Sequence, residues 1–313
     1  MILVGDIGGT RSRFALARQV GGRWRFERLD EWPTAPGVPA AIERFLAAGE
    51  TPQLKAAAFC GAGPLRADGS IRLTNNDVLL EPAVLARAAG LRQAILVNDF
   101  QAVARAIPAL DSGSLAPVGG GDPVADAPRV VVGPGTGLGV AILVRCDDGW
   151  KAVAGEGGHV DLAPVDDDEL GAWQHLRGRH PRVSAETVLC GSGLERLYAA
   201  LGGGGARSAE EIGAAAWRGE PAAARTIAIF TRWLGRTAGN LVLTAGARGG
   251  VYLAGGILPR WGARLDHTEF RRGFEDKAPL SGWLRGIPAY VVTHAQPGLL
   301  GLAELASSPP TAR

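Results

Sequence analysis

The chain has 313 residues, 46% of them hydrophobic, with 33 basic and 31 acidic side chains and a net charge of +2. That length supports about two domains around a sizeable core. The basic residues are scattered, and only Lys55, Lys151 and Lys277 are lysines, so the basic stripe of a nucleic-acid binder is missing; apolar runs such as 94–97, 130–132 and 140–144 are far too short to span a bilayer. The three cysteines, Cys60, Cys146 and Cys190, are far apart, with no C-x-x-C pair and no H-E-x-x-H. They read as free thiols, without a structural zinc site. The opening MILVGD lacks a basic region followed by a long apolar stretch, so it does not read as a signal peptide, and a cytoplasmic protein is expected.

In chain order, ILVGDIGGTRSRFALA (2–17) alternates apolar and small residues around Asp6–Thr10, which predicts two strands joined as a hairpin. A third strand is expected near Trp24–Trp32. Val38–Ala48 has helical spacing, with Ile42, Phe45 and Leu46 on one face. Lys55–Cys60 reads as a short buried strand ended by Gly61, Gly63 and Pro64. Pro82 opens a helix through Ala89 that Gly90 stops. Ala94–Val97 is a strand running into Asn98-Asp99-Phe100, followed by helical Gln101–Ile107. Pro108–Asp126, rich in Gly, Pro, Asp and Ser, is the expected crossing between domains. Beyond it, a second strand–turn–strand, VVVGPGTGLGVAILV (130–144), opens the second domain. Gly202–Gly205 is a loop, and Ser208 with Glu211 fits a capping box. Pro221 starts a long helix with Ile227, Phe230, Leu234 and Leu241 near one face. Val251–Ala254 and Ala289–Val292 are strands, Pro297–Leu305 is a helix, and Ser307–Arg313 reads as a frayed tail. Strands interleaved with helices define an α/β class.

The two glycine-threonine turns carry the first chemical signal. A turn without side chains lets backbone N–H groups approach an anion. Neither turn has the Gly-Lys-Ser/Thr of a Walker loop, and neither lies between a strand and a helix as a dinucleotide fingerprint must. Either turn alone reads as an ordinary hairpin with glycine for positive φ; two copies, each with a threonine hydroxyl, point to two halves gripping one polyphosphate. Asp6 beside such a turn is unfavourable unless a cation intervenes, which suggests Mg²⁺.

A second set of residues is polar. Asn98-Asp99 ends a strand, where α/β proteins place ligands; Asp99 reads equally as a general base or as a helix N-cap. Glu156 and His159 lie in GEGGHVD (155–161) among glycines that let a ligand approach, or in a mobile loop. Glu186 reads as a ligand or as an acid at a helix N-terminus. The acidic run Asp166–Glu169 is expected on a solvated face. An Asn, an Asp, two Glu and a His suit a polyol, because carboxylates accept hydrogen bonds from adjacent hydroxyls and one of them can take a proton as an oxygen attacks phosphorus.

Over nearly its whole length the chain resembles the bacterial glucokinases, hexokinase-like members of the sugar kinase, heat-shock protein and actin superfamily. The resemblance rests on GDIGGT (5–10), NDF (98–100), GPGTGLG (133–139), GEGGHVD (155–161), AGGI (254–257), FEDK (274–277) and PGLLG (297–301), in that order. It implies a two-domain actin-like (ribonuclease H-like) ATPase fold with a cleft between the domains: a small α/β domain over 1–110, to which the C-terminal helix 297–313 returns, and a large α/β domain over 111–296. It implies ATP-dependent phosphorylation of D-glucose to glucose 6-phosphate, the first step of glycolysis, with Mg²⁺ accompanying ATP, no nucleic-acid or membrane partner, and a homodimer.

In residue terms the resemblance makes Asp99 the catalytic base on the sugar 6-hydroxyl, with Asn98, Glu156, His159 and Glu186 holding the other hydroxyls. Gly8, Gly9 and Thr10 become the first phosphate turn, with Asp6 near the metal, directly or through phosphate or water. Gly135, Thr136 and Gly137 become the second, and Gly255 and Gly256 lie against the adenosine. Two departures bear on sugar affinity and preference: Arg11 stands where relatives commonly have asparagine, and the tryptophan often found shortly after Thr74–Asn76 is missing beside Asp77-Val78. The cysteine-rich zinc motif and the DNA-binding extension of related repressors are absent. The competing expectations are a kinase for mannose or an N-acetylated hexosamine, a catalytically weak sugar-binding sensor, and an actin-like or heat-shock-type ATPase.

Overall fold

The computed structural model describes residues 1–35, 37–50, 53–74 and 76–307. Residues 308–313 of the expected tail, and Asn75 of the Thr74–Asn76 segment, lie outside them. The chain forms two compact units: Met1–Asp111 with Trp150–Ala154 and His294–Arg313, and Ser112–Gly149 with Gly155–Thr293.

The first unit is built on a five-stranded sheet in the order Arg23–Pro33, Arg11–Val20, Ile2–Ile7, Ala56–Gly61, Ile95–Asn98. The first three strands pair antiparallel and the last two join in parallel. Alternate residues serve opposite faces. Leu3, Ile7, Phe14, Leu16 and Phe59 pack with Val38, Ile42, Phe45 and Leu85 of the helices Val38–Ala47 and Pro82–Ala88. Val4, Ala15, Ala17, Ala58 and Cys60 pack with Ala102, Leu299, Leu302 and Ala303 of the helices Asp99–Ala106 and Pro297–Ser307. A sheet covered on both faces needs apolar residues at nearly every position of its central strands, which is why 2–7 and 56–61 carry so few polar side chains. On the second face the helices approach so closely that a Cβ at Gly301 would collide with the carbonyl oxygen of Ala102.

The second unit repeats the plan. The strands Leu138–Cys146, Arg129–Pro134, Val251–Leu253 and Ala289–Val292 are neighbours in that order, an antiparallel hairpin followed by two parallel strands. Several strands escape the sequence reading, Leu115–Gly119 and Gly149–Gly155 the longest of them. Within 108–126, Leu115–Gly119 pairs antiparallel with Ala289–Val292; of its five residues only Val118 is buried, so an edge strand with one inward apolar side chain gives no alternation to read. The long helix Pro221–Ala245 ends in left-handed Gly246. It lies against the helix His267–Glu275 through glycines: a Cβ at Gly239 would sit 2.6 Å from the Phe274 carbonyl oxygen.

The acidic run 166–169 is a solvated face only in part: Asp167 and Asp168 are exposed, but Asp166 and Glu169 turn inward. Asp166 caps the helix Asp167–Arg177 by accepting from the Glu169 N–H at 2.9 Å. Glu169 is fully buried and takes a fork from Arg236 at 2.7 and 3.1 Å. Arg232, one turn earlier on the long helix, reaches Asp166 at 3.2 Å and Glu269 at 2.7 Å. Composition alone hides this, because the basic partners lie more than sixty residues downstream.

Candidate active site

In the first unit the turn after Ile2–Ile7 closes with the Gly8 N–H donating to the Arg11 carbonyl at 3.0 Å. The hairpin expected here is present, but its glycines are not needed for positive φ: Gly8, Gly9, Gly135 and Gly137 all lie outside the left-handed region. Close approach explains Gly8, Gly9 and Gly137 instead, whereas a Cβ at Gly135 would meet nothing nearer than 3.8 Å. A Cβ at Gly8 would stand 2.6 Å from the Arg11 carbonyl oxygen, and one at Gly9 would stand 3.3 Å from Asn76 Nδ2. Two residues that the sequence reading gave no role brace the turn. Thr34 Oγ1 donates to the Gly8 carbonyl at 2.8 Å, and Asn76 Nδ2 donates to the Gly9 carbonyl at 2.6 Å. Gly9 and Thr10 remain exposed at the tip. Arg11, the departure from the family pattern, is drawn along the hairpin to Glu31 at 3.0 Å.

Strand register then gathers three chemical groups at the carboxyl ends of adjacent strands. Asp6 lies opposite Cys60, and Gly61 opposite Asn98. The Cys60 thiol donates to Asp6 Oδ1 at 3.5 Å. Loss of hydration pushes the Asp6 carboxyl up from its ordinary value, against the opposing pulls of the Cys60 hydrogen bond and Arg13. Burial first, and then the charges of Asp6 and Asp99, push the Cys60 thiol well up, so it stays a neutral donor.

The N-cap expected as one reading of Asp99 is taken by its neighbour. The helix cap is Asn98, whose Oδ1 accepts from the Phe100 N–H at 2.9 Å and the Gln101 N–H at 3.3 Å, while its amide donates to the Gly63 carbonyl at 3.1 Å. Asp99 is therefore the first helical residue, half-buried, with Oδ1 accepting from the Phe100 N–H at 2.9 Å. The same helix holds the segment Trp150–Ala154: Gln101 Nε2 donates to the Ala152 carbonyl at 3.0 Å and Arg105 to that of Trp150.

The second unit brings together Glu156, His159, Glu186 and the second turn. His159 Nε2 is 4.0 Å from both Glu156 Oε2 and Glu186 Oε1. The loop is ordered by a 3₁₀ turn over Gly157–His159. Two of its glycines serve packing on the hairpin rather than ligand approach: a Cβ at Gly157 would lie 2.9 Å from Val140, and one at Gly158 would collide with the Leu138 carbonyl oxygen. The segment 183–185 pins it, through Leu162 N–H to the Val183 carbonyl and Ala185 N–H to the Val160 carbonyl. Glu186 lies in the short helix Ala185–Val188, capped by Ser184, yet its carboxylate turns to the hairpin and accepts from the Leu138 N–H at 2.7 Å.

In the turn itself the Gly135 N–H donates to the Gly137 carbonyl at 2.8 Å, and the Gly191 N–H donates to the Gly135 carbonyl at 2.9 Å. Thr136 is exposed. Gly255, at φ +84, has no room for a Cβ beside Pro134, whereas Gly256 faces open space. The Gly135–Gly137 and Gly255–Gly256 turns thus cap the neighbouring parallel strands Arg129–Pro134 and Val251–Leu253.

A magnesium ion carried on phosphate oxygens needs only one or two protein carboxylates, because it keeps several waters. Asp6 fits that part: a hard oxygen donor at the foot of an exposed turn, its charge disfavoured by its surroundings and so receptive to a cation.

An antiparallel glycine-threonine hairpin leading into parallel strands, found in both units, defines the actin-like (ribonuclease H-like) fold used by sugar kinases. Comparison with known proteins narrows that class. The sequence model of the family described as Glucokinase matches residues 3–309. The glucokinase of Chromobacterium violaceum is 43% identical over 309 residues, covering 96% of this chain and 88% of that protein. The crystal structure of a glucokinase from an Antarctic psychrotroph superposes with a TM-score of 0.88 at 34% identity, covering 98% of this chain and 99% of the other. A glucokinase from Balamuthia mandrillaris, solved in complex with glucose, shares the fold at a TM-score of 0.80 and 22% identity, over 97% of this chain and 93% of that one. The chain belongs to the glucokinase family.

Proposed function

We propose how this member of the family moves the terminal phosphoryl group of ATP to the 6-hydroxyl of D-glucose, giving glucose 6-phosphate. Phosphoryl transfer asks for positioning and charge stabilisation more than for covalent chemistry. Asp99 accepts the proton of the attacking hydroxyl. Asn98, Glu156, His159 and Glu186 hold the remaining hydroxyls, their carboxylates accepting and the Asn98 amide donating. Backbone N–H groups at the turn tips, Gly9–Thr10 and Thr136–Gly137, face the phosphates, those of Gly8 and Gly135 being held inside their turns, and Gly255 and Gly256 lie against the adenosine, where a side chain would intrude. Asp6 would hold the Mg²⁺ of Mg-ATP, directly or through water, and the ion supplies charge neutralisation on the phosphate oxygens.

The observation that carries this reading is the Asn98 cap. It satisfies the helix N-terminus through a neutral amide oxygen, so Asp99 stands beside the cap as the first helical residue rather than serving as the cap itself. The test is a coupled assay with Mg-ATP and a panel of hexoses. Glucose is expected to be turned over, and Asp99→Asn is expected to lower kcat by at least about 10³-fold, in the range that loss of general base catalysis produces, with an unchanged melting profile. Near-normal turnover in that variant removes Asp99 from the role. A cytoplasmic homodimer completes the reading, supported by family membership; light scattering on the purified protein should give twice the chain mass.

A further inference from the structure

Glu186 is assigned to the sugar, yet in the structure its carboxylate is already engaged with the nucleotide turn. Oε2 accepts from the Leu138 N–H at 2.7 Å, and a Cβ at Gly137 would lie 2.5 Å from the same oxygen and 3.2 Å from the carboxyl carbon. The carboxylate is therefore both hydrogen-bonded to the hairpin and in van der Waals contact with the backbone of the turn. The other oxygen, Oε1, faces His159 at 4.0 Å, and His159 is equally close to Glu156. One planar group presents one edge to the phosphate turn and the other to the sugar set. Its backbone is fixed by the Ser184–Thr187 capping box and by the Ala185 N–H bond to Val160, so the carboxylate reaches the turn and the sugar set from one anchored point.

We propose that Glu186 is a positioning residue for the second glycine-threonine turn as well as a sugar ligand, so that sugar and nucleotide sites are linked through this one carboxylate. The proposal rests on the functional reading in which the turn at Gly135–Gly137 faces phosphate and Glu186 meets the sugar. Linkage of this kind is reciprocal: a change made on the sugar side must be felt by the nucleotide, and the reverse. At Gly137 the Glu186 carboxylate occupies the place a side chain would take.

The test crosses the two sites. Binding of the non-hydrolysable analogue AMPPNP with Mg²⁺, in the absence of sugar, is measured by calorimetry for the wild-type chain, Glu186→Ala and Glu186→Gln. A group serving only the sugar leaves this binding unchanged in all three. The proposal expects Glu186→Ala to weaken AMPPNP about tenfold. Glu186→Gln, whose amide oxygen still accepts from Leu138 N–H, should restore it to within about twofold of wild type. In the reciprocal arm, glucose binding without nucleotide is measured for Gly137→Ala. The added methyl displaces the carboxylate, so glucose should bind at least about fivefold more weakly although the substitution lies in the nucleotide turn. Wild-type AMPPNP affinity in a folded Glu186→Ala, or wild-type glucose affinity in Gly137→Ala, overturns the proposal. Wild-type protein that binds AMPPNP but neither binds nor phosphorylates glucose overturns the functional reading itself, and the sugar half of the linkage with it.

Discussion

The Asp6 carboxyl shows how function is set against stability at one residue. Loss of hydration raises its pKa, so between the ordinary carboxylate value and the raised one the folded chain binds more protons than the unfolded chain. Stability therefore falls as pH rises through that window, and the loss is fully present above it. Asp6→Asn removes the charge and leaves an oxygen for the Cys60 thiol. Its melting temperature should exceed that of the wild type at pH 7, the gain disappearing as pH drops below the ordinary carboxylate range, while turnover collapses; thermal melts at pH 3 and pH 7 beside a kinase assay check both halves. Removing Mg²⁺ with a chelator should likewise abolish turnover of the wild type, and added Mg²⁺ should restore it. The motifs made Asp6, Asp99, Glu156, His159 and Glu186 legible because each sits in a short run with recognisable chemistry. Thr34 and Asn76 were not, because what matters is that they reach Gly8 and Gly9 across tens of residues.

At the scale of elements, glycine and buried charge decide the contacts. Gly301 brings the helix Pro297–Ser307 against the one that Asp99 opens. Gly301→Ala inserts a methyl where the Ala102 carbonyl stands, which should destabilise by about 1–3 kcal/mol as overpacking does and lower kcat by moving Asp99; urea unfolding and steady-state kinetics read the two effects. Glu169→Ala strands Arg236 in the interior, and the expected loss is about 3–5 kcal/mol, with Glu169→Gln milder because it keeps acceptor and donor atoms in place; chemical denaturation ranks the three proteins. Helices announced by Pro82, Pro221 and Ser208 were readable from their start signals and appear at Pro82–Ala88, Pro221–Ala245 and Ala209–Trp217. The run 166–169 misled because charge pattern says nothing about which way a helix is turned; the arginines of a distant helix decide that.

For the whole molecule, the repeated glycine-threonine hairpin was the visible trace of a repeated architecture, since in each unit it leads into two parallel strands. Less visible is how the first unit is assembled from segments far apart in the chain. Trp150–Ala154 joins it through carbonyls taken by Gln101 and Arg105, bonds that no local pattern encodes. Leu299, Leu302 and Ala303 join it from beyond the entire second unit. The order of synthesis is thereby constrained. A ribosome finishes the chain's second unit before it delivers the helix that covers one face of the first, so the sheet bearing Asp6 and Asn98 must wait, half-clothed, with Val4, Ala58 and Val97 open to water. Nascent chains released at residue 296 should therefore be cut rapidly by protease within the first unit and bind hydrophobic dyes there, and extension through residue 307 should silence both signals.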